Sequence, residues 1–162
     1  MKTPRIPEKM WRRIHSLMPI VCVDLVISHK AHPERFLLIK RKREPEAGKW
    51  FLPGGRIFRM ESAEEAALRI AKDECGLTVT EPAFLGYDEG MYSESPFAGG
   101  HGTHTVQLVI AVHAWRGRAR LDANHSAMTW RRLAGIEADT RDCPHYVKKW
   151  VARAERRLAH AY

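Results

Sequence analysis

A chain of 162 residues, 44% hydrophobic and 28% charged, holds enough apolar material for one sizeable core and has no apolar run of the length a membrane helix needs. The formal net charge of +8 favours anionic partners, although no nucleic-acid-binding module such as an RNP motif or a zinc finger accompanies it. Cys22, Cys75 and Cys143 lie far apart with no C-x-x-C pair, which argues against a disulfide framework or a zinc knuckle.

The elements follow in chain order. Residues 1–17 are expected to form a helical N-terminal extension, with a short helix over 8–17 after Pro7. The same segment is basic and contains no signal-type apolar core, so a cytoplasmic location is expected. Residues 20–28, "IVCVDLVIS", form a buried strand interrupted by one acid, Asp24. "RFLLIKRK" (35–42) is a second strand, and "WFLPGG" a short one ending in a glycine turn. Ser62, with Glu65 three residues later, opens a helix that Gly76 closes. A strand follows over 77–87, then a polar, glycine-rich stretch, "DEGMYSESPFAGGHG" (88–102), expected as a long functional loop. "THTVQLVIAVHAW" is a strong strand and "SAMTWRRL" a weaker one. An amphipathic helix over 143–160 ends the chain, with Tyr146, Trp150, Val151 and Leu158 as its apolar anchors. The order predicts a single α+β domain with helices packed on a mixed sheet.

Within 54–77, Gly54 and Gly55 permit close backbone approach, so a carbonyl there can face a ligand. A helical carboxylate beside it, Glu74, makes a candidate site for a hard cation such as Mg²⁺, which takes few protein ligands. Arg41, Arg56 and Arg69 are candidate phosphate clamps. The plainer alternative is a surface helix with ordinary charges.

The spacing decides between them. Gly55, five residues, Glu61, seven residues, Arg69, then Glu74 and Gly76-Leu77 resembles the Nudix box, G-x5-E-x7-R-E-U-x-E-E-x-G-U, with U a bulky aliphatic residue. The resemblance implies the Nudix fold, a mixed β-sheet sandwiched between α-helices, and Mg²⁺- or Mn²⁺-dependent cleavage of a nucleoside diphosphate linked to another group. Three positions depart: Ile70 replaces the Glu after the Arg, Ala71 is small where an aliphatic residue is usual, and Asp73 replaces the first Glu of the pair. With fewer carboxylates, one metal is the expectation.

GDP-mannose mannosyl hydrolases depart in a similar way, and "VDLVI", "FLLIKR", "GKWFLPGGRI" and "ANHSAMTW" resemble blocks of that branch. The resemblance implies that Gly54 offers its carbonyl to the metal and Glu74 its carboxylate. Asn124 stands where the branch has a Gln ligand, and His125 would be the general base. Asp24, Arg41, Arg56 and Arg69 match positions that bind substrate or support its leaving group, and His104 is assigned to a substrate loop. Two of the branch's residues are replaced, a loop His by Gly90 and a Tyr by Thr105. The expected substrate is a nucleotide sugar, with guanine and mannose or glucose implied by the branch, and a homodimer is implied likewise.

The ordinary alternatives are that Asp24 is a satisfied buried acid, that Arg41 and Arg56 are surface charges, and that His125 caps a turn. Two other functions compete with attack at the anomeric carbon. One is a phosphorus-attacking pyrophosphohydrolase acting on a nucleoside diphosphate sugar or an NTP. The other is a non-catalytic module that binds nucleotide or nucleic acid.

Overall fold

The computed structural model describes residues 6–159, so the expectations for residues 1–5 and for residue 160 lie outside it. Helix α1 (Glu8–Leu17) leads into strand β1 (Ile20–Ile27), and β2 (Arg35–Arg41), β3 (Trp50–Phe51) and β4 (Gly54–Arg56) follow. Helix α2 (Ala63–Cys75) precedes β5 (Thr78–Val79), β6 (Pro82–Tyr92), β7 (Thr103–Val112), β8 (Trp115–Arg116) and β9 (His125–Arg132). Helices α3 (Leu133–Ala138) and α4 (His145–Ala159) complete the chain.

The main sheet has the order β4-β1-β7-β6, and a second sheet the order β3-β2-β9. Strands β1 and β7 run parallel while β4 and β6 are antiparallel to their neighbours, which makes the first sheet mixed. Alternation along β1 sorts its side chains. Val23, Leu25 and Ile27 pack with Ala66, Ala67, Ile70 and Ala71 of α2, whereas Val26 packs with Trp150 and Val151 of α4 and Ile136 of α3. The sheet is thus covered on both faces, as the sequence pattern implied. Asp24 shares the face of Val26, two residues away, and so looks toward α4.

Helix α2 starts where the pattern placed it. Ser62 Oγ accepts from Glu65 N–H (3.1 Å), and Glu65 Oε2 accepts from Ser62 N–H (2.8 Å). Its buried stripe includes Ile70, 1% exposed. Isoleucine at that position is therefore core, and full burial of such a side chain is worth about 1.5–3 kcal/mol. All four expected anchors of α4 pack into or against the core under it, Trp150 and Val151 fully.

Two expectations are corrected. The expected strand over 77–87 is split into β5 and β6, and β6 continues to Tyr92 by pairing antiparallel with β7. Residues 88–92 are therefore strand despite their polarity, because the antiparallel ladder supplies their backbone partners. The irregular stretch is confined to 93–102.

Candidate active site

The motif residues divide into a structural bracket and an open group. Arg69 belongs to the bracket. Its Nε and Nη2 donate to Glu61 Oε1 and Oε2 (2.6 and 2.9 Å), and Nη2 also reaches the Arg56 carbonyl (3.0 Å). Glu61 Oε2 further accepts from Phe58 N–H (2.8 Å). These bonds hold the Glu61 carboxyl below its ordinary range, the Arg69 hydrogen bond first among them. Arg69 is therefore already engaged in positioning β4, which narrows the expectation that it binds substrate.

Glu74 belongs to the open group. Its Oε2 accepts from Gly54 N–H (3.0 Å). Burial pushes its pKa up to about 8, with the charges of Asp122 and Asp24 adding to the rise against Gly54 N–H and Arg41. Asp24, 6% exposed, accepts from the Tyr146 hydroxyl (2.7 Å), and its pKa is pushed up to about 6 by burial against that bond and Arg41. A Cβ on Gly54 would collide with Asp24 Oδ1, so the glycine is what lets this carboxylate lie against the turn. Tyr146 stacks on Phe51 (5.3 Å between centroids, 17°), which fixes its ring. The sequence had shown Tyr146 only as an apolar anchor, because a hydroxyl partner 122 residues away leaves no local signal.

Arg41 sits across from His125 in the β2–β9 register, at a bulge. Its charge reaches Asp24, Glu74, Cys22 and Tyr92, which places it among the carboxylates rather than at the surface. His125 begins β9 and is held by a residue that the sequence reading passed over, Asp122. Asp122 Oδ1 lies 2.7 Å from His125 Nδ1 and accepts from the N–H groups of Asn124 and His125 (3.1 Å each), while Oδ2 accepts from Asn124 Nδ2 (3.1 Å). Against a carboxylate, Nδ1 carries the proton and Nε2 is left as the accepting nitrogen. Asn124 correspondingly has its Oδ1 available as a ligand. The signal for Asp122 was its place three residues before His125, where an aspartate closes a turn on following N–H groups.

The loop that carries Asp122 is pinned to the end of α2, where Arg120 N–H donates to the Cys75 carbonyl (2.9 Å). That contact brings the Asp122–His125 segment beside Glu74. His104 is not brought to this group. On β7 it alternates with Thr105 and Gln107, and the parallel register with β1 places those two on the face of Asp24, so His104 lies on the opposite face. Gly90 pairs with Thr105 across β6 and β7, and a Cβ there would stand 2.6–2.7 Å from Tyr92, Gln107 Nε2 and Thr105 Oγ1. The two replaced positions thus form one polar cluster, in which Gln107 Nε2 donates to Thr105 Oγ1 (2.7 Å).

These residues suit a hard divalent cation. Mutual repulsion among Glu74, Asp122 and Asp24 contributes to the rise at Glu74, and a cation bound there would reverse it. Among the described residues, no three His, Cys, Asp or Glu side chains converge closely enough to hold a metal by themselves. A cation held here would take one carboxylate, Glu74, with backbone or amide oxygens beside it, a set that fits an ion retaining several waters.

A family model described as NUDIX domain matches residues 18–151. The low-salt glycan biosynthesis protein Agl8 of Haloferax volcanii is 36% identical over 126 residues, covering 78% of this chain and 79% of that one. The ADP-ribose pyrophosphatase of Methanocaldococcus jannaschii is 36% identical over 104 residues, 64% of this chain and 56% of that one. The crystal structure of a MutT NUDIX hydrolase from Burkholderia pseudomallei superposes with a TM-score of 0.69 at 29% identity, covering 84% of this chain and 98% of that one.

Proposed function

The chain belongs to the Nudix hydrolase family, and on that premise we propose that it hydrolyses a nucleotide sugar, GDP-mannose or GDP-glucose, to GDP and free sugar by water attack at the anomeric carbon. The observation that carries the proposal is the pair Asp122–His125 outside the motif helix, with Ile70 buried where the motif has a glutamate. The base is then supplied from β9 rather than from α2.

Glu74, the Gly54 carbonyl and Asn124 Oδ1 are the groups that would hold Mg²⁺ (or Mn²⁺). When bound, the ion supplies Lewis-acid charge stabilisation for a departing diphosphate. His125 Nε2 takes the proton of the attacking water, and Asp122 holds the ring in the required tautomer. Arg41 and Arg56 bind the diphosphate oxygens as charge grows on the leaving group. Asp24 positions the sugar from the α4 face while Tyr146 fixes its carboxyl.

Hydrolysis in ¹⁸O-labelled water tests the reaction. Label in free sugar supports carbon attack. Label in a nucleoside monophosphate or sugar phosphate replaces this proposal with phosphorus attack. Absence of turnover across a panel of nucleotide sugars with Mg²⁺ supports a binding module instead.

A further inference from the structure

Helix α1 has no fully buried residue, and a stack of rings ties it to the body of the protein. The His15 ring stands edge-on to Trp11 and to Phe97, with centroids 4.5 and 5.2 Å away and interplanar angles of 89° and 83°. Trp11 and His15 lie one turn apart on α1, while Phe97 belongs to the 93–102 segment, so the imidazole joins helix to segment. Arg12 adds a second tie. Its Nη1 donates to the Ala98 carbonyl (3.2 Å), and its guanidinium lies over the Phe97 ring (5.4 Å). The stack continues inward. The Arg56 guanidinium lies over the rings of Trp11 (5.0 Å) and Phe58 (4.5 Å), and Arg56 pairs with Cys22 across β1 and β4, on the sheet face that carries Asp24.

The join suits a neutral ring. His15 Nδ1 is buried and meets no hydrogen-bond partner among the described residues. The cavity beside His15 is lined also by Lys9, Arg12, Arg13, His101 and Phe97, and no carboxylate is among the described residues that line it. Glu8, the one acid of α1, lines a different cavity. A proton on His15 would leave a buried N–H without an acceptor, and the charges around it are cations. The carbonyl end of α1 favours a cation in its last turn, a weak pull beside the loss of water from Nδ1. Burial accordingly holds the His15 pKa below its ordinary value of 6.5.

From these contacts we propose that α1 and the 93–102 segment form an acid-released latch, closed while His15 is neutral and opened when His15 gains a proton. Opening takes Trp11 off Arg56. The closed form binds the proton less well than the open form, so the latch is fully closed above 6.5, the value of a freed histidine, and weakens as pH falls below it. Arg56 would then be a phosphate-binding residue whose orientation depends on pH; this consequence, unlike the latch, rests on the nucleotide-sugar reading above.

Proton NMR of the metal-free whole chain between about pH 5 and 8 tests the latch. The His15 ring should titrate below 6.5, and the ring signals of Trp11 and Phe97 should move with the same midpoint. Phe97→Ala removes one wall and should bring the His15 midpoint back toward 6.5. His15→Phe keeps a ring in the stack and has no proton to gain, so the Trp11 and Phe97 signals should lose their pH dependence. A His15 midpoint at or above 6.5 overturns the proposal, as do Trp11 and Phe97 shifts that persist in His15→Phe. If His15→Phe does not fold, Phe97→Ala decides: an unchanged His15 midpoint overturns it. The hold on Arg56 is read from the ratio of GDP affinities, His15→Phe over wild type, at saturating Mg²⁺, because titration of the nucleotide cancels in the ratio. It should be near one at about pH 8 and rise toward about tenfold at about pH 5.5, the limit for one proton over one pH unit. A flat ratio beside coupled ring titrations overturns the hold on Arg56 and leaves the latch standing. GDP that binds neither protein counts against the nucleotide-sugar reading alone.

Discussion

Glu61 and Glu74 are glutamates of the same motif, placed thirteen residues apart at the two ends of one helix, yet their surroundings give them opposite properties. Glu61 faces a guanidinium that reaches both of its oxygens, and its pKa falls below the ordinary value. Glu74 receives one backbone N–H, shares its neighbourhood with two other carboxylates, and its pKa rises to about 8. The first is a closed structural pair. The second is a buried carboxyl whose charged form the protein leaves uncompensated, so that it holds its proton unless a cation takes its place. A motif letter therefore does not assign a role; the partner set does.

The comparison breaks most directly at Glu74. Glu74→Gln should lower kcat/KM by about 10³-fold, the scale of several kcal/mol of lost charge stabilisation, and abolish any rise in Tm on adding Mg²⁺. His125→Ala should lower kcat by about 10²–10⁴-fold, the span of one general base, and retain the Mg²⁺-induced rise in Tm. The two variants thus separate metal holding from proton transfer. If His125→Ala also loses the Mg²⁺ response, the division of labour between helix and β9 is wrong. Asp122→Ala should cost about 10–100-fold in activity, as expected for an orienting partner. Glu61→Gln sharpens the other side: it should leave the Mg²⁺ response in place and lower stability by about 2 kcal/mol through the weakened Arg69 bonds, read as a lower denaturation midpoint.

The frame of this site was legible in the sequence because it is local. A fixed spacing across one turn and one helix, from Gly55 to Leu77, carried the motif, and the β-branched, apolar run "IVCVDLVIS" placed Asp24 in a buried strand. The Ser62 cap and the Gly76 stop marked α2 within a residue. What escaped was non-local or disguised. Tyr146 reaches Asp24 across 122 positions. Asp122 looks like any turn-forming acid until its carboxyl is seen shared between Asn124 and His125. His104 falls within the strand that the sequence predicts, and the alternation of β7 sets it on the face opposite Asp24. The polar run 88–92 reads as loop in the sequence, because a strand that draws its order from ladder bonds need not be apolar.

The smallest expected effect, and the one that tests the contrast itself, is the pH dependence of metal-free stability. For Glu74 the folded pKa of about 8 lies above the model-peptide value of 4.5, so between those pH values the native state binds more protons than the unfolded state. Stability from this group is then greatest at the acid end of the window and is lost as pH rises toward 8. Asp24 acts with the same sign between 3.8 and about 6. For Glu61 the folded pKa lies below 4.5, so its contribution is present above that value and is lost as pH falls through the folded pKa. The denaturation midpoint of the metal-free protein should therefore decline on both sides, on the alkaline side through Glu74 and on the acid side through Glu61. Glu74→Gln should flatten the decline between about pH 6 and 8 and leave the acid limb unchanged, while Glu61→Gln should do the reverse. Mg²⁺ should mimic Glu74→Gln on the alkaline limb, because a bound cation keeps the carboxylate ionised and removes the cost of its charge. An alkaline limb that persists unchanged in Glu74→Gln would mean that the excess charge resides elsewhere, with Asp24 the next group to replace.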